Sequence, residues 1–227
     1  MAKGIRAGHG YRPTFLRHFE KYAYLCSPKQ NSLYTMSKPI RLAILGSGNG
    51  TNAQQISEYF AGRDDVQVAC IIYNVKDAYI AQRAHNLGIE ARYFGRKDFY
   101  QTGAVLDYLR EKQADWVILA GFLWLVPQPI LDAYPRRVIN IHPALLPKYG
   151  GKGMYGHHVH EAVVAAGETE SGITIHIVDE NYDRGTILEQ ARCKVTSDDT
   201  PDTLAAKIHL LEKEYFPRVI DRTIHAC

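Results

Sequence analysis

Two polar side chains at the end of a short apolar segment have the types and the spacing that acyl transfer requires. Asn140 and His142 alternate with Ile139 and Ile141, so in a strand both would point to the same face. An asparagine amide can donate a hydrogen bond to a developing oxyanion, and a histidine can pass a proton near neutral pH. In an alternative interpretation, Asn140 caps a turn and His142 is a buried histidine with a structural role.

Asp183 is a third candidate for the same site and lies in an acid-rich segment that follows an apolar one. A carboxylate beside an imidazole can orient the ring and favour its protonated form. From the residues alone, a solvated surface loop is the commoner role for such a segment. No Ser or Cys stands in a nucleophile-elbow motif, which favours direct attack by an amine over a covalent enzyme intermediate.

A glycine-rich segment, Gly46–Asn52, lies between a predicted strand and a predicted helix. Glycines allow a tight turn and close approach to an anion, and the free N–H groups of a helix N-terminus favour phosphate. The spacing is not that of the dinucleotide fingerprint, and the second strand ends at Asn74 without an acid for a ribose hydroxyl. The segment therefore favours a small phosphate ester, although a tight turn that binds nothing remains an alternative.

Alternating strands and helices must position these residues. The sequence predicts strands at 40–45, 66–73, 91–94, 116–120 and 138–141, and helices at 52–60, 78–87, 105–112 and 127–133. Further on it predicts a helix at 158–166, strands at 174–178 and 188–195, and a terminal helical region at 201–223 that is interrupted near Pro217. This order predicts an α/β fold with a doubly wound, mostly parallel sheet and some antiparallel pairing in the C-terminal part. Such sheets bind ligands at the carboxyl ends of their strands, where Asn140 and His142 would lie.

Composition and charge exclude several classes of protein. The 227 residues carry a net charge of +3, but residues 1–35 hold six Lys/Arg and one Glu, so the remainder has 21 basic and 23 acidic residues. The remainder thus has no basic field for nucleic acid, and no apolar run is long enough to predict a membrane span. The four cysteines are far apart, and the His157, His158 and His160 cluster lacks zinc-motif spacing. We therefore expect no metal, and we interpret that cluster as lying on the surface at the start of a helix.

Residues 1–36 differ in composition from the rest of the chain. They are rich in Tyr, Arg and Gly and show weak periodicity. Three interpretations compete: an overcalled start codon with Met36 as the natural start, a real but poorly ordered extension, and a basic, acid-poor targeting presequence. We expect residues 37–227 to form a single domain.

Four segments, in this order, resemble the folate-dependent formyltransferases: Gly46–Asn52, Ala120–Leu123, Asn140–Tyr149 and Ile173–Gly185. The Asn-Ile-His-Pro-x-Leu-Leu-Pro motif is typical of folate formyl transfer, and the glycine loop narrows the resemblance to the phosphoribosylglycinamide formyltransferases of purine (IMP) biosynthesis. The resemblance implies a Rossmann-like fold and transfer of the formyl group of 10-formyltetrahydrofolate, a co-substrate, to the amine of glycinamide ribonucleotide. It also implies a cytoplasmic monomer or homodimer that acts on small molecules and has no nucleic acid or membrane partner.

The resemblance also assigns roles to individual residues. It implies catalytic roles for Asn140, His142 and Asp183, and it places His176 near the site. Substrate binding is implied for Gly48, Asn49, Gly50, Thr51, Asn52, His209 and Glu212, and folate binding for Leu123, Trp124, Leu125, Val126, Val178 and Asp179. Two features depart from the family pattern. Trp124 stands where relatives can have Arg, and the glycine-rich loop at 150–156, either a flap over the substrate or a plain surface insertion, is longer than expected.

Other functions would leave other signals in the sequence. A 10-formyltetrahydrofolate hydrolase would carry an N-terminal regulatory domain, for which residues 1–36 are too few, and a methionyl-tRNA formyltransferase would need a further C-terminal domain. A sugar-amine formyltransferase remains open, although the glycine loop argues against it. The missing acid after the second strand argues against a nicotinamide-dependent oxidoreductase. An intact Asn140, His142 and Asp183 set argues against an inactive binding domain.

Overall fold

A computed structural model describes residues 38–180 and 183–226 of the chain. Lys38–Cys227 group into one compact unit. The interpretations of residues 1–36 lie outside the described residues. Among the residues that are described, no helix is long and apolar enough to cross a membrane.

Seven strands form a sheet in the spatial order β3-β2-β1-β4-β5-β6-β7. The strands are β1 (Ile40–Gly46), β2 (Val66–Tyr73), β3 (Ala91–Tyr93), β4 (Trp116–Leu119), β5 (Val138–His142), β6 (Glu170–Ile177) and β7 (Ile187–Lys194). The pairs among β1 to β5 are parallel, whereas β5–β6 and β6–β7 are antiparallel. The predicted fold class is therefore confirmed, including the antiparallel pairing in the C-terminal part.

Helices cover both faces of this sheet. They are α1 (Thr51–Phe60), α2 (Ile80–Asn86), α3 (Arg96–Tyr100), α4 (Ala104–Glu111), α5 (Gln128–Ala133), α6 (His157–Ala165) and α7 (Pro201–His225). Strand β1 shows the two-sided burial directly, since Leu42 and Ile44 join one core and Ala43 and Leu45 join the other. The first core includes buried residues of α1, α2, α6 and α7, and the second includes those of α3, α4 and α5. A strand buried on both faces is continuously apolar, which is why β1 was readable from the sequence.

Helix α7 differs from its prediction, because it continues through Pro217 without the expected interruption. A proline inside a helix removes one backbone hydrogen bond and can cost about 3 kcal/mol. Phe216, Val219 and Ile220 are buried in the first core, and Pro217 is buried as well. Burial of this apolar face offsets the missing hydrogen bond, so the helix is not broken.

Two further elements differ from the sequence-based prediction. Helix α3 was not predicted, because it is a single turn in which only Phe99 is buried, and it starts with the Asp98 carboxylate accepting the Gly95 N–H at 3.0 Å. Strand β6 begins at Glu170, four residues earlier than predicted. Its polar first residues hide the strand, and pairing of Glu170 with Lys194 of β7 extends it.

The fold brings the candidate residues to one edge of the sheet. The direction of chain progression reverses between β1 and β4, which is the point where open α/β sheets bind ligands. The glycine segment follows β1, and Asn140 and His142 end β5 two strands away. In the antiparallel pair β5–β6, Asn140 lies opposite His176 and His142 lies opposite Thr174. Strand β6 thus adds its own polar residues to the same edge.

Gly172 on β6 should be intolerant of any side chain. A Cβ there would collide with the Ala191 carbonyl oxygen of β7 and lie 2.7 Å from Leu145 Cδ2. We expect Gly172→Ala to lower the free energy of unfolding by about 1–3 kcal/mol, measured by urea denaturation. The matched control is Gly48→Ala, which meets no atom within 4 Å. Equal stability of the two variants would contradict this packing.

Candidate active site

A cleft of about 670 Å³ opens at the carboxyl edge of the sheet. It is lined by fifteen of the sixteen residues that the sequence analysis assigned to the site: Gly48, Asn49, Gly50, Thr51, Asn52, Leu123, Trp124, Leu125, Val126, Asn140, His142, Val178, Asp183, His209 and Glu212. The remaining residue, Asp179, lines a neighbouring cavity of about 310 Å³ together with Val178. Segments more than 150 residues apart in the sequence therefore share one cavity wall.

His142 is held at both of its ring nitrogens. Its Nε2 lies 2.7 Å from the backbone oxygen of Tyr149, and its Nδ1 lies 3.6 Å from Oδ2 of Asp183. A carbonyl oxygen can only accept a hydrogen bond, so Nε2 carries a proton and donates it to Tyr149. The nitrogen that remains free to gain or lose a proton is therefore Nδ1, on the side of Asp183.

The backbone places Asp183 and Tyr149 in an unusual conformation. Both are non-glycine residues with positive φ, 53° for Asp183 and 55° for Tyr149. Such residues are uncommon and often occur at functional sites. The Asp183 carboxylate also accepts the Gly151 N–H at 2.8 Å, which links it to the loop that follows Tyr149. Tertiary contacts thus position both partners of His142.

Burial controls the charge of this polar group. His142 and His176 are almost fully buried, and desolvation lowers the pKa of each imidazole below its usual value. The Asp183 carboxylate opposes this shift in both rings, but the net direction is downward. Both imidazoles are therefore mainly neutral at pH 7, and charge on His142 needs a further anionic partner.

The glycine segment leads into the N-terminus of α1, where the first backbone N–H groups have no acceptor within the helix. Gly50, the N-cap of α1, has φ 77°, and a Cβ there would lie 2.6 Å from Ile80 Cγ1. Arg83 supports the loop by donating to the Asn49 backbone oxygen at 2.8 Å and to its Oδ1 at 3.2 Å. A helix N-terminus with this support suits a phosphate group.

A carboxyl group from the terminal helix meets the glycine segment. Glu212 accepts a hydrogen bond from Asn52 Nδ2 at 3.0 Å, across 160 positions of sequence. Burial raises the pKa of Glu212, while the hydrogen bond from Asn52 and the nearby His209 act in the opposite direction. The buried carboxyl has remaining oxygen lone pairs that can accept from hydroxyl groups of a ligand.

Residues 123–126 form the apolar part of the cleft wall. The buried Ser47 hydroxyl accepts the Leu123 N–H at 2.9 Å, which ties this segment to the glycine loop. The Trp124 ring meets Phe99 edge-on, with 5.4 Å between centroids, and the Arg96 guanidinium lies 5.7 Å from the Trp124 centroid. The tryptophan that departs from the family pattern is thus packed among aromatic rings with a cation over it.

His160 corrects one interpretation of the sequence. His157 and His158 are exposed as expected, but His160 is 4% exposed and lines the cleft, and its Nδ1 has no hydrogen-bond partner among the described residues. Its place between the apolar Val159 and Val163 on one helix was the signal that could have shown burial. Within the described part of the chain, no three His, Cys, Asp or Glu side chains form a metal-binding group.

The loop at 150–156 also belongs to the site. Residues 151–156 all line the cleft, and Gly151 contacts Asp183 through its N–H. Of the two interpretations left open by the sequence, this placement favours a loop that covers the cleft over a plain surface insertion. Its glycines at 151, 153 and 156 have positive φ, a backbone conformation that other residues rarely adopt.

The buried His160 should make the folded state sensitive to acid. Burial lowers the pKa of its imidazole to about 4, whereas the unfolded chain takes up the proton near pH 6.5. The unfolded state thus binds more protons as the pH falls from 6.5 to 4. We expect His160 to reduce the free energy of unfolding by about 2 kcal/mol between pH 7 and pH 5.

Urea denaturation of His160→Gln at the two pH values measures this contribution. We expect this variant to lose about that much less stability than the wild type over the same interval. His158→Gln, at an exposed site two residues earlier in α6, is the matched control and should behave as the wild type does. Identical pH dependence in all three proteins would contradict the assignment to His160.

The chain is similar to known formyltransferases. Residues 40–220 match the family model described as formyl transferase. The chain is 39% identical over 186 residues to the chloroplastic phosphoribosylglycinamide formyltransferase of Arabidopsis thaliana, covering 79% of this chain and 64% of that protein. It is 34% identical over 185 residues to the phosphoribosylglycinamide formyltransferase of Haemophilus influenzae, covering 79% of this chain and 85% of that protein.

A solved structure shows the same fold at similar identity. The phosphoribosylglycinamide formyltransferase of Streptococcus pneumoniae TIGR4 superimposes with a TM-score of 0.72 at 35% identity, covering 81% of this chain and 98% of that one. The chain spans slightly less than two thirds of the Arabidopsis relative's length. From the family match over most of its length and these relatives, the chain belongs to the formyl transferase family.

Proposed function

We propose that this protein transfers the formyl group of 10-formyltetrahydrofolate to the primary amine of glycinamide ribonucleotide in purine biosynthesis. Membership of the formyl transferase family implies a folate-type formyl donor. The observation that carries the proposal is that one cleft is lined by a glycine loop suited to phosphate, by an apolar segment suited to a pterin, and by Asn140, His142 and Asp183. The relatives are named phosphoribosylglycinamide formyltransferases, which supports glycinamide ribonucleotide as the acceptor.

The proposed reaction proceeds without a covalent enzyme intermediate. The substrate amine attacks the formyl carbon, a C–N bond forms, and the formyl oxygen takes the negative charge of a tetrahedral intermediate. Asn140, together with His142 once its Nδ1 has taken a proton from the attacking amine, donates hydrogen bonds to this oxyanion. Collapse of the intermediate breaks the bond from the carbon to N10 of the folate, and the proton lost by the amine reaches N10 through His142 or a water.

Asp183 assists the proton movement in this proposal. Its carboxylate faces Nδ1 of His142 at 3.6 Å, so it favours the charged imidazole as the oxyanion develops. Burial keeps His142 neutral in the free protein, which leaves Nδ1 able to accept a proton from the attacking amine. The same nitrogen can then return a proton to the leaving group.

The other proposed roles concern binding. The N–H groups of residues 48–52 hold the substrate phosphate, and Glu212, with His209 beside it, holds the ribose hydroxyls. Leu123, Trp124, Leu125, Val126 and Val178 enclose the pterin. Asp179, which lines the neighbouring cavity together with Val178, is proposed as a further folate contact.

The activity is tested by incubating the protein with glycinamide ribonucleotide and 10-formyltetrahydrofolate. We expect folate deformylation that depends on the amine. Release of formate without the amine would instead identify a hydrolase. Formylation of an amino sugar nucleotide in place of glycinamide ribonucleotide would identify a sugar-amine formyltransferase.

Substitution of the polar residues tests their roles in the same assay. We expect Asn140→Ala and His142→Ala each to lower kcat at least about 10²–10³-fold, because loss of an oxyanion donor typically costs that much. His158→Ala, at an exposed position on α6, is the control and should retain activity. Near-normal turnover in both active-site variants, with the folded state intact by circular dichroism, would overturn the assignment.

We also propose that residues 37–227 suffice as a single catalytic domain, since the family match falls within them. A protein that starts at Met36 should therefore keep the kcat and KM of the full chain. Loss of activity on truncation would contradict the proposed boundary. We further propose a cytoplasmic location, which imaging of tagged full-length and Met36-start proteins measures directly. We also propose a monomeric or dimeric state, which sedimentation measures directly.

A further inference from the structure

His176 is a buried polar residue of the site to which the proposed reaction gives no role. It lies on β6, directly opposite Asn140 of β5, and only 2% of its surface is exposed. It lines the cleft together with Asn140 and Asp183. A buried imidazole beside a proposed oxyanion donor needs a physical explanation, because burying a polar side chain costs free energy unless its partners satisfy it.

The backbone determines which nitrogen of His176 carries the proton. Nδ1 lies 3.2 Å from the backbone oxygen of Ile177. Because a carbonyl oxygen only accepts, Nδ1 is the protonated nitrogen of the neutral ring. Nε2 then has a lone pair, and it lies 3.1 Å from Nδ2 of Asn140. The Asn140 amide therefore donates one of its two N–H bonds to His176.

This hydrogen bond selects one of two nearly isosteric orientations of the amide. Rotation by about 180° would exchange Oδ1 and Nδ2, which have similar size and opposite hydrogen-bonding character. With Oδ1 turned toward His176, two lone pairs would face each other. With Nδ2 turned toward it, a hydrogen bond forms and the second N–H of the amide remains available to another acceptor.

We propose that His176 is a positioning residue that holds the Asn140 amide in the orientation in which it can donate to the developing oxyanion. The proposal rests on the formyl transfer proposed above. His176 acts through Asn140 and makes no contact with the reacting atoms in this role. Its function complements that of the Tyr149 carbonyl, which selects the protonated nitrogen of His142. The two rings are thus held in opposite tautomers on either side of Asp183.

The charged groups around His176 predict how acid would affect this arrangement. Asp183 Oδ1 lies 3.7 Å from Nε2, and His142 and Asp179 also act on the ring electrostatically. A proton on Nε2 would turn this atom into a donor that pairs with Asp183 and no longer accepts from Asn140. Burial lowers the pKa of His176 below its usual value, so Nε2 keeps its lone pair at neutral pH.

Nuclear magnetic resonance of the free wild-type protein tests the hydrogen bond itself. With ¹⁵N labelling, we expect the neutral His176 ring to show a protonated Nδ1 and a pyridine-type Nε2. We also expect a through-hydrogen-bond N–N coupling between His176 Nε2 and Asn140 Nδ2. A protonated Nε2 at neutral pH, or absence of this coupling with the side-chain resonances assigned, would overturn the proposal without reference to activity.

Two variants at the same position test the consequence for catalysis. His176→Leu fills a similar volume but accepts no hydrogen bond, whereas His176→Gln provides an acceptor oxygen at similar reach. We expect the Leu variant to lose about 10–10²-fold in kcat, less than full loss of an oxyanion donor, with KM for both substrates nearly unchanged. The Gln variant should recover most of this loss. Its kcat should also decline less at acid pH than that of the wild type, because glutamine does not take up a proton as His176 does.

Ser171→Ala provides the matched control, since Ser171 is also buried on β6 but lies at its opposite end. It should retain wild-type kcat. Unchanged kcat in His176→Leu, or an equal loss in the Leu and Gln variants with both folded, would overturn the positioning role. If the wild type fails to formylate glycinamide ribonucleotide, the proposed function fails, whereas the N–N coupling still decides whether His176 orients Asn140.

Discussion

The hydroxyl of Thr174 is the constraint on which the geometry of the site depends. It is fully buried on β6, donates to the Ala144 backbone oxygen at 2.7 Å, and accepts the Leu146 N–H at 2.9 Å. Gln190 of β7 adds a hydrogen bond to the same hydroxyl and another to the Leu146 oxygen, each at 3.0 Å. In a buried environment these groups must be paired, so the segment after β5 is fastened to the antiparallel part of the sheet. The chain then reaches Tyr149, whose carbonyl holds His142.

The antiparallel attachment of β6 has a second consequence for the site. Parallel strands alone would align β5 with neighbours that bring apolar ends, as β4 does with Leu119 opposite Asn140. Strand β6 instead places His176 and Thr174 opposite the two polar residues of β5. The loop after β6 returns Asp183 to the same group, 3.6 Å from His142 and 3.7 Å from His176. The change from parallel to antiparallel pairing therefore builds the polar centre of the cleft.

Burial of this polar centre explains how it can be reactive. The pKa values of both imidazoles are lowered and that of Glu212 is raised, in each case chiefly by desolvation. The two imidazoles, which are mainly neutral at pH 7, can gain charge when a charged or developing partner appears, because electrostatic interactions are stronger where water is excluded. Fixed hydrogen bonds from backbone carbonyls leave defined nitrogens for that exchange. The cleft is thus organised by contacts within the protein itself.

The sequence by itself determined the features that depend on local pattern. Largely apolar runs identified β1 and β4 because strands buried on both faces have few polar positions, and alternation on β5 placed Asn140 and His142 on one face. It did not reveal helix α3 or the continuity of α7 through Pro217, since each depends on packing against distant elements. It signalled the burial of His160 only through the apolar residues around it on α6. The segment around Asp183 made it only a weak candidate for the site. Its contacts with His142 and Gly151 in the folded protein are what place it there. Tautomers, pKa shifts and the pairing of His176 with Asn140 are set by atoms far apart in the chain, and for that reason only the tertiary structure decides them.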